Sequence, residues 1–96
     1  MKRQPEVLLK EIASLQQMER GKLCRMRRGP KGDYYNHQTW EKGRNAVRYV
    51  PRNQAASLNR AIAAYQKFLR LTQAYADEII RRSRQTRKNY PKTNVY

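Results

Sequence analysis

The sequence predicts an α+β fold: an N-terminal helix, a short antiparallel β-ribbon or sheet of two or three strands, and a long C-terminal helix followed by a basic tail. Three observations carry this expectation. Leu8, Ile12, Leu15 and Met18 recur at three- and four-residue steps, the spacing of one helix face. Residues 33–51, DYYNHQTWEKGRNAVRYVP, gather the β-forming aromatics Tyr34, Tyr35, Trp40 and Tyr49 around a Gly-containing reversal and stop at a proline. Residues 54–84 contain neither Gly nor Pro and keep an apolar helical period throughout.

The chain has 96 residues, the size of one small domain, which we place at residues 1–84, with a basic, flexible tail at 85–96. Its single cysteine, Cys24, has no internal disulfide partner and no second thiol with which to build a zinc site. No apolar run approaches the roughly 18 residues of a membrane span, and the start of the chain lacks a signal-peptide core, so a cytoplasmic protein is expected. Lys and Arg number 22 against 7 Asp and Glu, a formal net charge of +15. A small fold with that excess repels itself unless a polyanion neutralises it, and nucleic acid is the natural one. Membrane-surface binding fits less well, because the helices lack an interfacial apolar face flanked by Trp and Lys.

Pro5 suits a first helical turn and Glu6 complements its positive end, so the first helix is expected to run from here to near Gly21. Next, Arg20, Lys22, Arg25, Arg27, Arg28 and Lys31 alternate with Leu23, Cys24 and Met26, which predicts a short edge strand. Six bases exceed what edge protection needs and suit bidentate grips on phosphate. Gly29, Pro30 and Gly32 make the following turn. In an extended ribbon, Tyr35, His37 and Thr39 lie opposite Tyr34, Asn36, Gln38 and Trp40. On the return strand Val47 and Tyr49 are expected to face the helices, leaving Arg44 and Arg48 outward. Such a ribbon, with Lys42 in its turn and Arg52 beyond it, resembles a β-ribbon reader of duplex DNA.

Pro51 stops the strand and Asn53 is expected to cap the long helix. At 1.5 Å per residue that helix would run about 45 Å and the first about 25 Å, so an antiparallel pair would leave part of the long one uncovered. Phe68, Leu69, Tyr75 and Ile79 would then form a partner face, for a second copy or a larger protein. In the tail, Arg87 and Lys88 join the candidate nucleic-acid contacts, and Tyr90 and Tyr96 are placed to stack on bases.

No catalytic constellation stands out. Cys24 and His37 are the one nucleophile–base combination, and they match no recognised motif. The expectation is a non-enzyme with no metal and no cofactor.

The order Gly21-Lys22-Leu23 through Met26, Gly29-Pro30 then Tyr34-Tyr35, Arg48-Tyr49-Val50-Pro51, and a helix with Tyr65, Phe68 and Leu69 resembles a family of small bacterial and archaeal domains of unknown function found near transposon-type genes. The resemblance spans residues 6–81 and implies the same helix–ribbon–helix architecture and a mobile-element setting. The family pattern carries a short cysteine cluster where this chain has only Cys24 among Arg25, Arg27 and Arg28, which removes the zinc knuckle.

The leading functional expectation is therefore a non-catalytic accessory protein of a mobile element or phage that grips the backbone of duplex DNA. Arg25, Arg27, Arg28, Lys31, Lys42, Arg44, Arg48, Arg52, Arg87 and Lys88 would make the contacts. One alternative is an RNA-binding component of a ribonucleoprotein, with Tyr34, Tyr35, His37 and Trp40 stacking on bases. Another is a protein–protein adaptor that docks by its long helix on a larger nucleic-acid enzyme.

Overall fold

The computed structural model describes residues 4–26 and 34–87, with elements in the order α1 (Pro5–Ser14), β1 (Lys22–Arg25), β2 (Tyr35–Glu41), β3 (Arg44–Val50) and α2 (Arg52–Thr86). The class is α+β, and the ribbon is a three-stranded antiparallel sheet in the order β1-β2-β3. No helix among the described residues is long and apolar enough to cross a membrane.

The first helix is shorter than its periodicity predicts. It stops at Ser14, whose hydroxyl turns back to donate to the Glu11 carbonyl at 2.6 Å, and residues 15–20 continue as an irregular strap. The strap's backbone is used elsewhere. The Glu19 N–H donates to the Ala61 carbonyl at 3.0 Å, and the Arg20 carbonyl accepts from the His37 ring at 2.7 Å. These long-range bonds outweigh the modest helix propensity of the segment.

The hairpin between β2 and β3 turns on two residues, Lys42 with φ 51° and Gly43 with φ 77°. Two successive positive φ values match the twist of the flanking strands. Asn45 lies in the strand, opposite Trp40. Pro51 ends β3, and α2 begins at Arg52, where the Gln54 N–H donates to the Pro51 carbonyl at 2.9 Å. Asn53 therefore lies inside the first turn and not at the cap.

The chain divides into two compact units, residues 15–68 and residues 1–14 with 69–96. In the first, α2 turns Ala55, Leu58, Ala61, Ile62 and Tyr65 inward, with Ala55 and Val50 buried and the others half-buried. In the second, Pro5 and Leu8 of α1 are buried, as are Leu71 and Glu78 of α2. Past Phe68 the buried side is that of Leu71 and Glu78, while Leu69, Ile79 and Ile80 are exposed.

Glu78 belongs on that buried side because it is fully employed. Its carboxylate takes Arg81 at 2.5 Å and Arg82 at 3.2 Å, and Arg82 also donates to the Gln4 side chain at 2.8 Å. Arg81 first, then Arg82, hold the Glu78 carboxyl down to about 2.

Candidate nucleic-acid interface

A turn centred on Lys42-Gly43 sets the register Glu41↔Arg44, Trp40↔Asn45, Gln38↔Val47, Asn36↔Tyr49. Because paired residues share a face, this fixes which side chains stand together. On one face are Leu23, Tyr35, His37, Thr39, Arg48 and Val50; on the other are Lys22, Cys24, Asn36, Gln38, Trp40, Val47 and Tyr49.

The first face is the covered one, although its central residues are polar. His37 and Thr39 are each only 5% exposed. His37 Nε2 lies 2.7 Å from the Arg20 carbonyl, which can only accept, so this nitrogen carries the hydrogen. Arg20 in turn donates to the Tyr65 hydroxyl at 3.3 Å and stands 5.5 Å over the Tyr65 ring, tying the strap to α2. Gly21 is required where the strap enters β1. A side chain there would place its Cβ 2.0 Å from the Gln38 carbonyl oxygen, and its φ is +90°.

Arg48 belongs to this face and has a structural task. It donates to the Thr39 hydroxyl at 3.2 Å and pairs with Glu41 at 2.7 Å, while the Thr39 hydroxyl donates to the same carboxylate. The Thr39 hydroxyl first, then Arg48, hold the Glu41 carboxyl below its ordinary range. A depression of about 330 Å³ beside this group is lined by Glu19, Arg20, His37, Thr39, Trp40, Glu41 and Arg48. Two acids balance two bases there, so it offers a polyanion no net attraction.

The expectation that Val47 and Tyr49 face the helices is overturned. They stand on the open face, 54% and 67% exposed, with Trp40 at 73%. The physical reason is that the polar groups of this side are satisfied there, His37 by the strap and Thr39 and Arg48 by Glu41. Hydrogen bonding, not apolar content, decides which face is covered. Tyr34 extends the open face, its ring 6.3 Å from that of Tyr49 at a tilt of 38°. At about 3.3 Å per residue, Trp40 and the Tyr34–Tyr49 pair stand about 13 Å apart along the strands. Gln38 and Val47 lie between them, with Lys22 beside Gln38 on the β1 side, while Asn36 and Cys24 are level with Tyr49.

The remaining predicted residues fall as follows. Tyr35 and His37 are on the covered face, so of the predicted stacking group only Tyr34 and Trp40 are open. Arg25 ends β1, Lys42 is in the turn, Arg44 opens β3 opposite Glu41, and Arg52 opens α2; all four are exposed. Arg87 follows α2, while Arg27, Arg28, Lys31, Lys88, Tyr90 and Tyr96 lie outside the described residues. Phe68 and Tyr75 of the predicted partner face are half-buried, and Leu69 and Ile79 are exposed. Cys24 pairs with Asn36 and His37 with Leu23, so thiol and imidazole are on opposite faces and form no catalytic pair. Among the described residues no group of His, Cys, Asp and Glu could hold a metal ion.

Sequence reasoning missed Tyr49, Asn36, Gln38 and Lys22 as one surface. The signal was present in the two-residue turn: centring the hairpin on Lys42-Gly43 yields the whole register.

Fold and open face together define a small α+β domain built on a three-stranded sheet that is covered on one side only. The chain belongs to the family described as a domain of unknown function (DUF6788), whose profile matches residues 1–60, from α1 through the sheet into the first turns of α2. No curated protein and no solved structure matches the chain.

Proposed function

We propose that this protein is a non-catalytic nucleic-acid-binding module that takes unpaired bases on the open face of its sheet. The observation that supports this reading is the pairing of two exposed aromatic stations, Trp40 and Tyr34–Tyr49, with a net charge of +15. Aromatic rings on an uncovered sheet offer π-faces that any base can use, and the positive charge supplies attraction to the backbone. Duplex DNA, the first expectation, gains less from this surface. Arg48 is committed to Glu41 and Thr39, and stacked, paired bases do not present their faces to Trp40. The setting we propose is accessory to a mobile element or phage of a bacterium or archaeon, in the cytoplasm.

The test is fluorescence anisotropy of labelled single-stranded RNA, single-stranded DNA and duplex DNA across a salt series. Single strands should bind more tightly than duplex, with affinity falling steeply as salt rises, by a slope of about 0.7 per phosphate neutralised. Tighter binding of duplex, or binding indifferent to salt, would overturn the reading. A second reading, a protein partner on α2, is favoured by the exposed Leu69, Ile79 and Ile80. Light scattering of the isolated chain checks it: a dimer would place a second copy on that helix.

A further inference from the structure

β3 is an edge of the sheet, and only half of its backbone is engaged there. The two-residue turn at Lys42-Gly43 makes Glu41↔Arg44 the closing, hydrogen-bonded pair, and such pairs recur at every second residue along the ribbon. Arg44, Ala46, Arg48 and Val50 thus direct their N–H and C=O groups to β2, while those of Asn45, Val47 and Tyr49 point away from the sheet. Among the described residues no backbone bond from outside the sheet reaches these three. Such an edge invites another strand unless something blunts it. The opposite edge, β1, is blunted: it is four residues long and has a base at each end. β3 runs seven residues without a proline or a break in register, and Arg48 within it is neutralised by Glu41.

We infer that β3 pairs antiparallel with β3 of a second copy of this chain, about a two-fold axis at Val47. The outward-facing residues are symmetric about that position. Val47 meets the partner's Val47, Asn45 meets the partner's Tyr49, and every outward N–H and C=O finds its complement. Moving the axis by one residue sets Tyr49 against the turn at Gly43, or Asn45 against Pro51, which has no N–H. In the Val47 register no base directly opposes a base, since Arg48 faces the partner's Ala46 and Arg44 the partner's Val50. The pairing also closes, because the edges that remain are the two blunted copies of β1. Residues paired across strands share a face, so the two open faces become one. Trp40, Asn45 and the partner's Tyr49 then form a row across the sheet, the two rings two strand spacings, about 10 Å, apart. Each protomer thereby supplies an aromatic to the row of the other. That consequence rests on the proposed binding of unpaired bases, whereas the pairing itself stands on the backbone alone.

The experiment is sedimentation velocity of the full chain over a concentration series, beside anisotropy of labelled oligo(U). The chain should show a monomer–dimer equilibrium that tightens as salt rises, since each copy carries +15 and salt screens the repulsion. The Val47 N–H serves no bond within its own sheet, so Val47→Pro leaves the ladder of the monomer intact and removes the central bonds of the dimer. It should raise the dimer dissociation constant by about 5- to 150-fold, the effect of orphaning a hydrogen-bonding group. Val47→Lys, which opposes like charges at the axis, should also raise it. Circular dichroism verifies folding, and where Val47→Pro unfolds the chain Val47→Lys decides. Leu69→Ser/Ile80→Ser on α2 should leave dimerisation unchanged. Val47→Pro should weaken oligo(U) binding by about 5- to 150-fold, the worth of a base stacked on the partner's ring. A chain that is monomeric at every concentration overturns the inference, as does a dimer that folded Val47→Pro retains or that the α2 variant loses. Oligo(U) affinity unchanged by loss of the dimer overturns the shared row and leaves the strand pairing standing. Absence of oligo(U) binding by the unsubstituted chain overturns the proposed function and not the pairing.

Discussion

Placing one methyl group on Gly21 should cost this protein a large part of its stability, whereas the same change at Gly43 should cost only its backbone penalty. Both glycines have positive φ, +90° and +77°, so each alanine meets a left-handed backbone penalty of about 1–2 kcal/mol. At Gly43 nothing else lies within 4 Å of the new atom. At Gly21 the atom would fall 2.0 Å from the Gln38 carbonyl oxygen and 2.7 Å from Thr39 Cγ2. The first of these is backbone of the central strand and cannot swing away, so the strap must lift. Lifting breaks the 2.7 Å bond from His37 to the Arg20 carbonyl, and a buried donor left unpaired costs about 1–3 kcal/mol more. The Gly21→Ala total is about 2–5 kcal/mol, against about 5–15 kcal/mol for a typical domain. Thermal unfolding followed by far-ultraviolet circular dichroism is the assay. Each kcal/mol moves the midpoint by about 4–8 °C in a domain of this size, so the two variants are readily separated. Equal shifts for Gly21→Ala and Gly43→Ala would refute the close approach of strap and sheet.

Two further outcomes are expected. Glu78 is depressed to about 2 in the folded chain and returns to about 4.3 when unfolded, so its stabilising effect is complete above the higher value and is lost as pH falls toward the lower. Acid titration of stability should therefore show a falling limb below about pH 4.3 that Glu78→Gln flattens, the two proteins converging near pH 2; an unchanged limb would deny the Arg81 and Arg82 pairing. In single-strand binding, Trp40→Ala or Tyr49→Ala should weaken affinity by about 5- to 150-fold, the worth of one stacked base. Arg48→Ala should change it less than about threefold, since its guanidinium serves Glu41; the reverse ranking would return the interface to the basic row.

Much of this architecture was legible beforehand. The hairpin announced itself through aromatics flanking a glycine, the proline exit ended β3, and the long run without Gly or Pro became α2. What could not be read was which side of the sheet is covered. Hydropathy argues for burying Val47, Tyr49 and Trp40, but the covered side holds His37 and Thr39, whose burial depends on a carbonyl of the strap and on the Glu41 carboxylate two residues along the same strand. Such partners are set by tertiary placement and leave no periodic trace. The early end of α1 has the same origin, because the Glu19 backbone bonds to Ala61 rather than within its own helix. Glu78 was hidden for a related reason: an acid four residues before Arg82 reads as a solvated pair until its burial is seen.

The exposure of Trp40 has a consequence for how the molecule reports on itself. It is the chain's sole tryptophan and is 73% exposed in the folded state, so its indole already sits in water. Unfolding changes that environment little, and intrinsic emission should stay nearly constant while the helices melt. A base laid against the ring changes it at once. Folding and occupancy are thereby carried by separate optical signals in one unlabelled protein.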